Sequence, residues 1–270
     1  MISTQNYLSQ NDIEKFKNDG FVCGPKILED YEIEELINEV ERVIEEKDHT
    51  DIPQPKRVYN LTQEENNPVI QIVNIWQGSK AFDRLISNVE LAKTASELLN
   101  HDEIKIWHDQ IQYKPSSTGG TTAWHQDSPL WRAMKSYEQV SAWIALDDAD
   151  IDNGCMSMVP GSHKWGNQME YLREHSETID TLPMKFAEKD ISRVYTPVKK
   201  GHVHFHHALT WHGSHDNTSG RHRRAIAIHY MRGDELYDAK QGHLVTQNDT
   251  NLTDNERFIG PGFKVLYKKE

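Results

Sequence analysis

The segment WHQD, at residues 124–127, places an imidazole and a carboxylate two positions apart. Two histidines and one carboxylate bind Fe(II) on one octahedral face and leave the other positions open for reactants. At the end of a strand, His125 and Asp127 would point to the same side, because alternate residues of a strand share a face. The same pair also occurs in ordinary turns, so a metal site needs a third ligand from elsewhere in the chain.

A histidine-rich region supplies candidates for the third ligand. The chain has 15 histidines, and 8 of them lie between His202 and His229. The segment GHVHFHHALTWHGSHDN contains most of these. A packed or solvated histidine-rich strand and a zinc site are both alternatives, since imidazole suits zinc as well as iron.

The segment RHRRAIAIHY adds a cation beside small residues. On a strand, Arg223, Ala225, Ala227 and His229 share one face. The two alanines leave space next to a guanidinium, which binds carboxylates through two parallel hydrogen bonds. A dicarboxylate could therefore lie along this face with one end on a metal; an ordinary surface arginine is the alternative.

Helical patterns dominate the first hundred residues. Residues 9–20 begin with Ser9, have Asp12 three positions on, and end at Gly20, which is typical of a capped helix. Residues 30–47 and 89–100 have apolar residues at helical spacing. We therefore expect a helical jacket with outer strands over residues 1–102.

After residue 102 the pattern becomes one of short alternating strands separated by turn sequences. Such strands favour a β-sandwich or barrel, and the absence of crossover helices argues against a parallel α/β sheet. The exception is 164–193, which is interpreted as an insertion over one mouth of the β structure. We predict a single domain over 1–270, with the core at 103–232 and a C-terminal segment at 233–270.

Composition limits the classes of partner. The formal net charge of −12 makes nucleic acid and anionic membranes unlikely partners. Two cysteines without a CxxC pair suit a reducing compartment. The N-terminus has no secretory pattern and no apolar run is long enough to span a membrane, so we expect a cytoplasmic protein.

Together these segments resemble the phytanoyl-CoA dioxygenase family of Fe(II)/2-oxoglutarate-dependent oxygenases. The resemblance lies in WHQD, in WIALDDADIDNGCMSMVPGSH, in the late HGS at 212–214 and in Arg223, eleven residues after His212. The opening FKNDGFV is also similar to the family's first helix and strand. Nearly the whole chain is covered, with 45–100 and 164–193 as the variable parts.

The resemblance implies a mainly β fold with flanking helices around a double-stranded β-helix, the cupin-like jelly-roll. It implies an enzyme that uses Fe(II), 2-oxoglutarate and O2 to hydroxylate a small molecule, with release of succinate and CO2. Since halogenating relatives lack the metal carboxylate, the presence of Asp127 favours hydroxylation. The implied iron ligands are His125, Asp127 and His212, and the implied cosubstrate residues are Arg223, Ser214, Trp143 and Gln110.

The remaining polar and aromatic residues receive weaker interpretations. His108, Trp131 and Arg132 are candidate substrate contacts, and Arg132 would meet an anionic group. His206 and His207 are interpreted as packed or solvent-facing, with a contact to a metal ligand as the alternative. A non-catalytic metal- or ligand-binding β-barrel is the alternative function, and the sequence does not predict the oligomeric state.

Overall fold

The structure, a computed structural model, describes residues 7–176, 178–247 and 251–270. The first six residues of the N-terminal segment discussed above lie outside this part. The helices are α1 (Gln10–Asp19), α2 (Asp30–Glu45), α3 (Ile75–Gly78), α4 (Lys80–Ile86), α5 (Val89–Leu99) and α6 (Met169–His175). The strands are β1 (Phe21–Lys26), β2 (Arg57–Asn60), β3 (Ile70–Val73), β4 (Glu103–Lys114), β5 (Thr122–His125), β6 (Gln139–Ala145), β7 (Met156–Met158), β8 (Lys185–Phe186), β9 (Lys189–Asp190), β10 (Val194–Thr196), β11 (His202–His207), β12 (His212–Ser214), β13 (Arg223–Arg232) and β14 (Val265–Lys268).

Two antiparallel sheets form the β core. The larger has the order β1-β11-β6-β13-β4-β3-β2, with β14 also paired to β4, and the smaller has the order β10-β7-β12-β5. This is the mainly β, jelly-roll class that the resemblance implies; the barrel alternative is wrong, because the described strands do not form one closed sheet.

The expected N-terminal helices are present, and local chemistry explains their ends. The Ser9 hydroxyl accepts a hydrogen bond from the backbone N–H of Asp12, whose carboxylate accepts one from the backbone N–H of Ser9. Gly20 ends α1 with a φ of 86°, a conformation that glycine adopts at little cost. The sequence patterns missed α3 and α4, which are short and largely buried. Within the described part, no helix is both long and apolar enough to cross a membrane.

The larger sheet separates two apolar clusters. Its outer face carries Ile144, Ile226 and Ile228, which pack in one cluster with the apolar faces of α1, α2, α4 and α5. Its inner face carries Trp143, Ala145, Ala225 and Ala227, which pack with Cys155, Met156 and Met158. The strand phases predicted for β6 and β13 are therefore confirmed.

The insertion at 164–193 contains α6 and the short hairpin β8–β9. Its Met169, Leu172 and Ile179 form a cluster with Trp124 and Trp211. Trp211 directly precedes His212, so the insertion supports the smaller sheet where that sheet carries its histidines. The division into 1–102, 103–232 and 233–270 stays a prediction.

Asp109 on β4 gives a stability prediction independent of the site. The side chain is fully buried, and burial raises the pKa of its carboxyl to about 8, although nearby backbone N–H groups of Ile75 and Trp76 partly oppose the shift. Between pH 4 and 8 the unfolded chain loses this proton while the folded chain keeps it, so stability falls as pH rises. Asp109→Asn should remove this loss, worth up to about 1.4 kcal/mol per pH unit.

Urea unfolding of both proteins at pH 5 and pH 8 measures the difference. We expect the advantage of Asp109→Asn to grow with pH. An advantage that is the same at both pH values would contradict the burial argument.

Candidate active site

The strand pairing between β5 and β12 brings the two predicted histidine ligands together. His125 lies opposite His212 in the antiparallel register. Oδ1 of Asp127 lies 3.5 Å from Nε2 of His125 and 3.6 Å from Nε2 of His212. One ligand atom from each residue lies within 4.8 Å of the others, which is close enough for all three to bind one ion.

Backbone carbonyl groups fix the tautomer of both histidines. Nδ1 of His125 donates to the carbonyl of Ala123 at 2.8 Å, and Nδ1 of His212 donates to the carbonyl of Thr210 at 2.9 Å. With Nδ1 as the donor, the neutral form of each ring presents an unprotonated Nε2 to the cluster, as a metal-ligating imidazole requires. Burial also lowers the pKa of His212 to about 3, which keeps this ring neutral.

Asp127 reaches the cluster by a different route from the one expected. Strand β5 ends at His125, and Asp127 has right-handed helical φ and ψ angles at the start of a 3-10 turn, Ser128–Leu130. Its backbone N–H donates to the carbonyl of Ala208 at 2.9 Å. Asp127 therefore does not share a strand face with His125, and that prediction is wrong. A turn held to the chain before β12 brings the carboxylate into place.

The second oxygen of Asp127 is held by two buried neighbours. Oδ2 lies 3.2 Å from Nε2 of His206 and accepts a hydrogen bond of 3.3 Å from the hydroxyl of Ser141. Burial alone would raise the pKa of Asp127, but His212, His125 and His206 hold it well below its usual range. The carboxylate is thus ionised, with Oδ1 directed at the two ligand histidines.

His206 is therefore expected to matter for metal binding. Replacing it by phenylalanine removes the contact with Asp127 and should weaken Fe(II) affinity about 10- to 100-fold, as for other groups that orient metal ligands. His206→Gln retains a side-chain donor and should lose less. Competition with a chromophoric chelator under anaerobic conditions measures both affinities, and equal affinities for His206→Phe and the wild type would contradict this role.

Arg223 lies on the inner face of the larger sheet, as its strand phase predicts. The side chain is 1% exposed, and its guanidinium carbon lies 5.6 Å from the ring centroid of Trp143. Its Nη1 donates to the carbonyl of Gln112 at 3.3 Å, while Nε has no hydrogen-bond partner among the residues that the structure describes. Burial lowers the pKa of Arg223 to about 10, so the group stays charged at neutral pH without a carboxylate partner in the described part of the chain.

A narrow inner cavity lies against the His125, Asp127 and His212 cluster, and Arg223 is buried next to its wall, in contact with Trp143. Gln110, Trp143 and Ser214 line it together with His125, Asp127 and His212. The indole N–H of Trp143 is buried and makes no hydrogen bond in the described structure. Behind Ser214, the buried Nζ of Lys114 donates to the carbonyls of Gly120, Ser214 and His215, which ties β4 to the end of β12.

A wider outer cavity of about 580 Å³ is lined by His125 and Asp127, two of the candidate metal ligands, and opens to the surface. His108 and Trp131 line this cavity, and their rings meet edge to face at 5.5 Å. Arg132 does not line it. It is exposed in a separate surface groove with Tyr137 and Glu170, because the 3-10 turn after Asp127 directs it outward. Arg132 therefore lies outside both cavities at the candidate metal ligands, and its contact with the substrate stays a prediction.

Several residues of the site were not identified from the sequence. His206 is not among the predicted site residues; a contact with a metal ligand is its alternative interpretation, and the structure has it in contact with Asp127. Its position follows from the strand pairing: His206 lies opposite Ser141, which shares a strand face with Trp143. Arg57 and Tyr59 also line the outer cavity. They lie in a part of the sequence without a motif, and only the sheet order brings them to the site.

Comparison with known proteins agrees with this geometry. The profile of the family described as Phytanoyl-CoA dioxygenase (PhyH) matches residues 16–225. The phytanoyl-CoA dioxygenase domain-containing protein 1 homolog of Caenorhabditis elegans is 26% identical, over 91% of this chain and 96% of its own. Ectoine dioxygenase of Halomonas elongata is 29% identical, over 58% of this chain and 46% of its own.

Among solved structures, the non-heme alpha ketoglutarate dependent carbocyclase SnoK from nogalamycin biosynthesis has a TM-score of 0.75. It is 25% identical, with 96% of each chain covered. The expected enzyme class, an Fe(II)/2-oxoglutarate-dependent dioxygenase, is thus confirmed. The match over 16–225 is most of the 270 residues, and the chain belongs to the phytanoyl-CoA dioxygenase family.

Proposed function

We propose that this dioxygenase hydroxylates a small molecule bound in the outer cavity, with 2-oxoglutarate in the inner one. The observation that carries the proposal is that His125 and Asp127 line both cavities, with His212 beside them on the inner one. The buried Arg223 is in contact with Trp143 and does not line the outer cavity. A cosubstrate anchored there would leave the outer cavity free for the molecule to be oxidised.

The donor set fits ferrous iron. Two imidazole nitrogens and one carboxylate oxygen form the facial arrangement of non-heme iron oxygenases. A structural zinc site takes four protein ligands, and the described residues offer three in this cluster. When bound, iron with 2-oxoglutarate and O2 supplies an oxidation of a C–H bond coupled to decarboxylation of the cosubstrate to succinate and CO2.

The chain's own residues position the reactants. Arg223 makes no ion pair with a carboxylate among the described residues, and it is placed to pair with the distal carboxylate of 2-oxoglutarate. The Ser214 hydroxyl, on the inner cavity, would assist it. Trp143 and Ala227 form an apolar wall that excludes water from the cosubstrate. Gln110 lines both cavities and is fixed by a hydrogen bond of 2.8 Å from Gln71.

The substrate is inferred to be small, because the outer cavity is of the size that encloses ligands of drug-like dimensions. The ectoine dioxygenases and the carbocyclase among the similar proteins are named for reactions on small molecules. Hydroxylation is favoured over halogenation since Asp127 occupies the position a halide would need. The cytoplasmic location remains part of this proposal.

The function is tested by reconstituting the protein with Fe(II) and 2-oxoglutarate without oxygen. An absorption band from the iron–cosubstrate complex is expected, followed by succinate formation when O2 and a substrate are added. The alternative, a non-catalytic binding protein, predicts metal uptake without the band and without succinate. Absence of both signals with any compound of a metabolite panel would overturn the proposal.

A further inference from the structure

The outer cavity contains one cation that the dioxygenase chemistry does not use. Arg57 begins β2, at the free edge of the larger sheet. Apart from the metal ligand Asp127, it is the formally charged side chain among those that line this cavity. Arg57 is exposed, and its guanidinium stacks on Tyr59 without an ion pair to any residue in the described part of the chain. A cation in this position at the entrance to an active site is available to an anionic ligand.

The strand register places Arg57 on the face that carries the site. Arg57 lies opposite Val73, Val73 opposite Gln110, Gln110 opposite Ala227, and Ala227 opposite Trp143. Directly opposed residues of antiparallel strands share a face, so this row runs from Trp143 to Arg57 along the floor of both cavities. Arg57 is two strand spacings, about 10 Å, from Gln110.

Hydrogen bonds hold the aromatic ring of Tyr59, on which the Arg57 guanidinium stacks. The guanidinium carbon of Arg57 lies 4.6 Å from the ring centroid of Tyr59. The Tyr59 hydroxyl donates to Oε1 of Gln71, and Nε2 of Gln71 donates to Oε1 of Gln110 at 2.8 Å. The chain of contacts from Gln110 to Tyr59 fixes the aromatic ring on which the guanidinium stacks, which reduces the entropy lost when an anion binds.

The rest of the entrance is apolar or neutral. Leu61 is 38% exposed and Leu130 is 42% exposed, and both line the cavity. Burial lowers the pKa of His243 to about 4, so this ring adds no positive charge at neutral pH. A ligand that satisfies these surfaces has one negative group, an apolar body and little other charge.

We propose that Arg57 determines substrate specificity by pairing with a carboxylate, so that the substrate is a free monocarboxylic acid with an apolar body. A CoA thioester carries several phosphate charges and no free carboxylate at the acyl end. One arginine in a cavity of about 580 Å³, on a chain with a net charge of −12, does not match it. This inference rests on the proposed function, because it assigns the cavity to the substrate.

The test measures binding to the anaerobic protein loaded with Fe(II) and 2-oxoglutarate. The probes are octanoate and 3-phenylpropionate, the amide of each, and octanoyl-CoA, titrated by calorimetry and then assayed for succinate release. At least one acid is expected to bind about 10-fold or more tightly than its amide, and octanoate more tightly than octanoyl-CoA. Arg57→Gln should raise the Kd of that acid about 10- to 100-fold and leave the Kd of the amide unchanged.

Arg84→Gln is the matched control, because Arg84 is an exposed arginine that pairs with Glu35 on the surface at 2.6 Å. It should leave both Kd values unchanged. Equal affinity for acid and amide, tighter binding of octanoyl-CoA, no binding of either acid, or an acid Kd unaffected by Arg57→Gln would each overturn the assignment. If instead the iron–cosubstrate band does not form at all, it is the proposed function that fails.

Discussion

Replacing Asp127 by asparagine should reduce succinate formation by more than about a hundredfold, beyond the loss typical of a residue that only orients a ligand. The amide has the same shape but no negative charge to bind Fe(II). It also presents an N–H group to neighbours that now face a carboxylate, His206 and Ser141. The fold should persist, so iron content after anaerobic reconstitution and succinate release are the two measurements.

Asp148→Asn is the control for the loss of a carboxylate. Asp148 is a surface residue that pairs with Lys199 at 3.2 Å, and this change should leave iron content and turnover as they are. An Asp127→Asn protein that retains iron and wild-type turnover would show that the carboxylate is not a ligand.

Replacing Arg223 by glutamine should raise the KM for 2-oxoglutarate. The binding free energy lost should be larger than the loss in the free energy of unfolding. Losing one partner of a buried charge pair costs about 2–5 kcal/mol, or roughly thirty- to several-thousand-fold in affinity. Arg223→Lys keeps a charge without the two parallel donors, so it should recover part of the loss. Initial rates at varied 2-oxoglutarate concentrations give the KM of each variant.

The adjacent Arg224 provides a matched control. Its side chain leaves the opposite face of β13 and pairs with Asp147 at 2.8 Å and with Glu41 at 3.0 Å. Arg224→Gln should therefore lower the unfolding midpoint without changing the KM for 2-oxoglutarate. If both arginine variants change KM equally, the effect comes from damage to the strand, and Arg223 has no special role.

Local sequence determined the ends of helix α1 and the faces of strand β13, which depend on residues close together in the chain. Ser9, Asp12 and Gly20 set the ends of α1 through contacts within a few positions. The alternation in β13 decided that Arg223 and Ile226 would lie on opposite faces, because the period of a strand is fixed by its backbone. The three ligand candidates could be chosen from the sequence through the resemblance, and the structure brings them together.

Tertiary structure decided which other residues join the site. Arg132 follows the motif closely in sequence, but a 3-10 turn sends it to another groove, while Arg57 reaches the cavity from a distant edge strand. His206 contacts Asp127 only because β11 pairs with β6 and Asp127 is turned back toward the chain before β12. Sequence periodicity gives the face of a strand, but the order and register of the strands come from packing two sheets together. The packing of the sheets therefore fixes the contacts between residues far apart in the chain.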